Sequence, residues 1–213
     1  MVIWNVSKSA EFSVKETYKS LLPHKEYITW NSLVWFRFRI PRPSFIAWVT
    51  LHGKLMIRDK LVQWKVITIS SCLLCDAAEE NENHLFHGSE FAGQVWSGLI
   101  LKMGYLREIC STWQEEIQWY VSHFWGKSCV ALIKLLIFNS FIYNIWRERN
   151  SRIFEVKYNS IESMSFLIVQ EVRLKLSAHK LKDEESDAIG SSWIDGELAV
   201  ISCLNNQFYV PGV

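Results

Sequence analysis

Cys129-Val-Ala-Leu-Ile-Lys-Leu-Leu-Ile-Phe-Asn-Ser-Phe-Ile-Tyr-Asn-Ile-Trp146 is the most apolar stretch of the chain, and its reading decides between a membrane span and a globular helical core. A bilayer span needs about 20 predominantly apolar residues, and Lys134, Asn139, Ser140 and Asn144 interrupt this run. The segment therefore reads as a buried core helix that follows Ser128. It is expected to close on Arg147-Glu-Arg149, where cations suit the carbonyl end of a helix dipole. Composition agrees. Nine Gly and four Pro in 213 residues are few for the turns of an all-β protein, so the expected fold is mainly α, a small helical bundle with little or no β-sheet. Lys+Arg of 23 against Asp+Glu of 22 leaves a net charge of +1. No global excess points to a polyanion, and any such partner has to come from a local patch.

Outward from this helix, other elements are marked by their caps. Ser13-Val-Lys-Glu16 is a capping-box pattern, after which Val14, Tyr18, Leu21 and Leu22 recur at helical spacing up to Pro23. Pro41-Arg-Pro43 opens a helix in which Phe45, Trp48, Val49 and His52 share a face. Residues 55–64 predict a third helix, and the β-branched Val66-Ile-Thr-Ile69 a short extended lead. Phe91, Val95, Trp96 and Leu99 predict a helix that ends near Gly104, and Thr112-Trp-Gln-Glu115 opens another. Residues 160–181 predict a last helix, followed by a mixed charge run at 180–187. We divide the chain at 1–104, a helical extension at 105–182 and a tail at 183–213.

Five cysteines, an odd number with only Cys72 and Cys75 close together, do not suggest a secreted disulfide framework. The first residues lack the features of a signal peptide, so an intracellular setting, nuclear or cytoplasmic, is expected. Cys72-Leu-Leu-Cys75 with His84 and His87 gives C-x2-C-x8-H-x2-H. Two thiolates from a tight knuckle and two imidazoles three apart on a helical turn could converge on a tetrahedral Zn2+. Unliganded thiols are the plainer alternative, and a redox pair a third, although its usual βαβ setting is not found.

The sequence resembles the zinc-binding domain of reverse transcriptases encoded by plant non-LTR (LINE-like) retroelements. The resemblance is carried by Phe12-Ser-Val-Lys15 with Tyr18, Leu33-Val-Trp35, Pro41-Arg-Pro-Ser-Phe-Ile-Ala-Trp48 and Lys54-Leu-Met-Ile-Arg-Asp-Lys-Leu61. It continues through Cys72-Leu-Leu-Cys75, His84-Leu-Phe86, Phe91 and Val95-Trp96, and more loosely through Trp113, Ile145-Trp-Arg-Glu-Arg-Asn150 and Ile153-Phe154. It implies Cys72, Cys75 and His84 as zinc ligands. Ser89 stands where the family carries its last Cys, and serine is a poor zinc ligand, so either His87 takes the fourth place, as we expect, or the site is degraded. Glu79, Glu80 or Glu82 could accept a ligand histidine's N–H, or belong to a solvated acidic loop.

No adjacent Asp pair occurs, so the two-metal chemistry of a polymerase has no residues here, and the carboxylates at 183–187 lie in one solvated run. A non-catalytic module is expected. Residues 30–65 hold Arg37, Arg39, Arg42, Lys54, Arg58, Lys60 and Lys65 against Asp59 alone, with Trp35, Phe36 and Phe38 interleaved. Such a segment could bind RNA or single-stranded DNA by phosphate contacts and stacking, with Trp35 and Phe38 as the stacking rings. The same residues also fit a helix pair with an aromatic core and a solvated cationic face. Further readings are a protein-interaction scaffold whose Trp-rich helices after residue 112 hold a partner, or a degenerate retroelement fragment without retained activity.

Overall fold

The computed structural model describes residues 13–21, 28–123 and 128–178. They form α1 (Val14–Leu21), α2 (Asn31–Val34), α3 (Pro41–Leu51), α4 (Arg58–Gln63), α5 (Glu90–Lys102), α6 (Trp113–His123), α7 (Cys129–Phe154) and α8 (Ile161–Ser177), with a π-turn over His84–Gly88. Among the described residues there is no strand; Val66-Ile-Thr-Ile69 forms none, and one isolated antiparallel bridge joins Ser71 to Glu79. The fold is mainly α, as the composition predicts. Leu22, Pro23, His24, His179, Leu181, Cys203 and the expected tail at 183–213 lie outside the described residues, as do the side chains of Glu16 and Cys129.

Local chemistry sets several helix ends. Glu115 N–H bonds to Thr112 Oγ1 while Glu115 Oε2 accepts from Thr112 N–H, both at 3.2 Å, the reciprocal pattern that the sequence predicts. Ser128 and Ser160 cap α7 and α8 through Ala131 N–H and Ser163 N–H. Gly104, at a φ of +87°, follows α5 in the left-handed region that glycine enters without penalty. α4 is shorter than residues 55–64, because Leu55 and the extended Ile57 are drawn into the core before it.

α7 is the axis of the bundle. α2, α3, α5, α8 and the π-turn all pack on it, and residues 133–142 are buried without a gap. The helix is long and apolar enough to cross a membrane by length and composition, yet 67% of its most apolar window is buried inside the fold. The residues that interrupt the run are buried and mostly bonded internally. Lys134 Nζ donates to Tyr105 Oη at 2.6 Å, Asn139 Nδ2 to the Leu33 and Leu135 carbonyls, and Asn144 Nδ2 to the Ser140 carbonyl and Glu171 Oε2. The helix does not close at Arg149 but runs on to Phe154, because Arg149 is turned inward.

Aromatic rings fill the space between α5, α6 and α7. Trp96, Tyr120, Phe138 and Phe141 are fully buried, Trp96 and Phe141 lie 4.6 Å apart, and Trp113 stacks between Phe86 and Phe138. Trp96 Nε1 donates to Glu116 Oε1 at 2.8 Å, which satisfies the one polar atom of a buried indole. One hydrophobic cluster runs from Leu33 to Leu176, drawing on residues to either side of position 104.

The contact of α3 with α7 is made by small side chains. Pro43, Ser44, Ala47 and Thr50 are the buried residues of α3, whereas the stripe of Phe45, Trp48 and His52 lies on the other side, with Phe45 53% exposed. Small residues at i, i+3 and i+6 let two helix backbones approach closely, with no room for added methylenes. Ala47→Leu is accordingly expected to destabilise the protein by about 1–3 kcal/mol. Urea unfolding at matched zinc content checks this, and a midpoint equal to wild type contradicts the packing described.

Candidate metal centre

The segment between α4 and the π-turn folds back on itself. Cys72 N–H donates to the Ala78 carbonyl at 2.8 Å and Glu80 N–H to that of Ser70 at 2.7 Å, while Asp76 N–H returns to the Cys72 carbonyl at 2.7 Å. Asp76 takes a φ of +53°, a left-handed turn that Asp tolerates better than most residues. The hairpin brings the two thiols of Cys72-Leu-Leu-Cys75 to one side, and His84 comes from the π-turn opposite.

Cys72 Sγ, Cys75 Sγ and a ring nitrogen of His84 lie within 4.8 Å of one another. Cys75 Sγ and His84 Nε2 are 3.1 Å apart. A tetrahedral zinc with ordinary Zn–S and Zn–N bonds separates its donors by about 3.6–3.8 Å, so small shifts would seat the ion. Two sulfurs and one imidazole are also the donor set that zinc prefers. Cys72 is fully buried; burial pushes its thiol up to about 11, against the bonds from the backbone N–H groups of Leu74 and Cys75. Without a cation this thiol holds its proton.

His87 does not join the three. Its Nε2 donates to the Cys110 carbonyl at 2.5 Å, which commits that nitrogen elsewhere. The reason is the winding. Ser89 N–H bonds to the His84 carbonyl, an i→i+5 bond, and this wider turn rotates positions three apart further from one another than an α-helix does. Ser89, the other candidate for a fourth donor, is buried and caps α5, its Oγ accepting from Ala92 N–H. The acidic residues are not acceptors for a ligand histidine either: Glu79 bonds to Ser70, Glu80 to Arg149 and Glu82 to Lys60.

Two residues of α7 hold the hairpin in place. Arg149 Nη2 and Nε bond to the carboxylate of Glu80, at 2.8 Å for the closest pair, with both side chains buried. Glu80 also accepts from Arg58 N–H. Arg152 Nη1 donates to the carbonyls of Leu73 and Leu74, at 3.2 and 2.8 Å, between the two cysteines, while its Nε pairs with Glu148. Charge pattern alone gave no sign of this; the signal was the Trp-Arg-Glu-Arg-Asn run, whose arginines read as a helix end. Gly88 carries no motif that marks it in the sequence. A Cβ there would sit 2.9 Å from His84 Nδ1, so only glycine leaves the ring where it is.

The cationic segment is divided. Arg58 Nη1 donates to the Ser71 carbonyl, and Lys60 Nζ to the Gly53 and Leu55 carbonyls and to Glu82, so both are spent inside the fold. This corrects their place among residues available to phosphate. Arg37, Arg42, Lys54 and Lys65 are exposed; Arg37 lies over Phe38 and Arg39 over Trp35, each about 5 Å from the ring centroid. In the later helices Trp113 is buried, Trp119 lies under Arg107 and against Tyr105, and Trp146 sits beside Tyr143.

Residues 12–96 match the family described as zinc-binding in reverse transcriptase. The match covers well under half of the chain and contains all three clustered donors, and it supports a reverse transcriptase zinc-binding domain in that stretch. No curated protein and no solved structure matches the chain.

Zinc titration under reducing conditions should separate the roles of these residues. Gly88→Ala is expected to weaken zinc binding roughly tenfold or more, whereas Gly98→Ala, where an added Cβ meets nothing within 4 Å, leaves it unchanged. His87→Ala should keep the metal; loss of zinc from that variant would put His87 in the coordination sphere. Arg149→Met strands a buried carboxylate and should cost about 3–5 kcal/mol, with most of this recovered when Glu80→Gln is added. Urea unfolding of the single and double variants measures both numbers.

Proposed function

We propose that this chain is a non-catalytic module derived from a plant non-LTR retroelement reverse transcriptase, in which a structural zinc ion organises a surface for nucleic acid. The observation that carries the zinc reading is the convergence of Cys72, Cys75 and His84 within a segment that matches a zinc-binding family. Three protein donors leave one position of a tetrahedral ion to another ligand such as water. Activation of a bound water calls for a nearby base, and the carboxylates of Glu79, Glu80 and Glu82 are each engaged by Ser70, Arg149 and Lys60. That supports a structural ion over a hydrolytic one.

The nucleic-acid reading rests on charge. From residue 28 to residue 58 the chain has no Asp or Glu, while Arg37, Arg39, Arg42 and Lys54 lie along it. The partner is RNA or single-stranded DNA, bound without strong sequence preference, in the nucleus or cytoplasm. Cations on a few residues meet phosphates at short range, and neutrality over the whole chain keeps long-range attraction small.

Metal analysis of protein prepared under reducing conditions should find one zinc per chain, and its removal should lower the thermal midpoint and the helicity. Zinc-free protein of unchanged stability in the presence of added zinc would overturn the structural ion. Retention of single strands should fall steeply with salt, by about −0.7 in logarithmic slope per phosphate contacted, and Arg37, Arg39 and Arg42→Ala together should flatten that slope. A slope near zero would favour an apolar protein interface. The absence of primer extension and of RNA cleavage in RNA–DNA hybrids is expected with either Mg2+ or Mn2+.

A further inference from the structure

The outward face of α3 is an uninterrupted string of rings. Phe45 stacks on Trp48 with centroids 5.9 Å apart, Trp48 meets Trp35 at 6.4 Å and His52 at 4.8 Å, and His52 meets Trp30 at 4.9 Å. Phe45 and Trp35 are 53% and 42% exposed. Aromatic side chains of this size usually serve a helix as its buried stripe, and here the small-residue face took that role. Phe45 and Trp35 are therefore open to solvent, while Trp48, partly buried, packs on the hydrophobic core and backs them.

What surrounds them identifies the occupant. Arg39 lies over Trp35 at 5.1 Å, Arg37 and Arg42 flank the string in sequence, and no carboxylate occurs between residues 28 and 58. An apolar protein partner needs no such excess of positive charge, whereas a strand of nucleotides supplies both a π-face for each ring and a phosphate for each cation. We infer that Phe45 and Trp35, backed by Trp48, form a base-stacking platform for single-stranded nucleic acid, with the exposed Arg37 and Arg42 along its phosphates and Arg39, which donates to the Phe36 carbonyl, held against Trp35. This rests on the nucleic-acid reading above and adds to it the α3 rings, which stack on bases rather than pair with charge. Duplexes are disfavoured because their base faces are already stacked.

The test compares a short mixed-sequence oligonucleotide with an abasic sugar-phosphate strand of the same length, in RNA and DNA forms, by fluorescence anisotropy with the zinc-loaded full chain. The base-bearing strand should bind more tightly. Phe45→Ala and Trp35→Ala should each lower its affinity about fivefold or more, leave the abasic strand's affinity unchanged and leave the salt slope unaltered. Phe45→Leu, which keeps an apolar side chain but removes the ring, should behave as Phe45→Ala, and thermal midpoints and zinc content equal to wild type establish that these variants are folded. RNA and DNA should behave alike, since stacking does not read the 2′-hydroxyl. Equal affinity of wild type for base-bearing and abasic strands overturns the platform but leaves phosphate binding intact. Failure to bind either strand at low salt overturns both.

Discussion

A carboxylate from the cysteine hairpin and a guanidinium from the far end of α7 meet in the interior, and the geometry of the metal centre depends on that meeting. Glu80 and Arg149 are buried and joined at 2.8 Å, and Arg152, three residues on, donates to the Leu73 and Leu74 carbonyls inside the knuckle itself. Such a pair adds little net stability, because removing two charges from water offsets most of their attraction. Its effect is on register. A hairpin with one isolated bridge has few internal bonds to fix its position, and a bidentate guanidinium accepts only one placement of its partner. Zinc would then close a loop whose two sides are already oriented, so that less ordering entropy opposes binding.

The sequence makes some of this legible for identifiable reasons. Helix caps depend on residues three apart, so Thr112 with Glu115 can be read directly, and Cys72, Cys75 and His84 are close enough in sequence for spacing to imply convergence. His87 faces the Cys110 carbonyl because the turn is wound wider than an α-helix, and nothing in His84-Leu-Phe-His-Gly88 announces an i→i+5 turn. Arg149 was read as a helix-end cation because its partner lies 69 residues away, beyond any local pattern. Arg58 and Lys60 looked like solvent-facing charge for the same reason: their acceptors are backbone carbonyls and a glutamate that charge counting does not see.

α3 shows that periodicity gives a shared face but not the side on which it lies. Phe45, Trp48 and His52 do share a face, as their spacing requires, but hydrophobicity alone does not say which stripe is buried. Close approach to α7 selects for size as well as polarity, and the residues of α3 buried there include the small Ser44, Ala47 and Thr50. Phe45 is thereby left at the surface and Trp48 at its edge, partly buried. An exposed aromatic row is costly for solubility unless something uses it, which is why its position beside an acid-free, arginine-bearing segment carries functional weight.

The family match stops at residue 96, in the middle of α5, whereas the packing does not stop there. Trp96, the last matched residue, is buried by Tyr120 of α6 and by Phe138 and Phe141 of α7, and its indole N–H is satisfied by Glu116. Glu116 is in turn paired with Arg107 and accepts from Cys110 N–H, and the Cys110 carbonyl holds His87. A chain of contacts thus runs from beyond the matched segment back to the π-turn that presents His84. Cys110 consequently holds the π-turn, and Arg149 and Arg152 supply the guanidinium groups that fix the hairpin of the metal centre. The segment that resembles other proteins and the unit that folds are different lengths of chain, and the second is the one that determines the site.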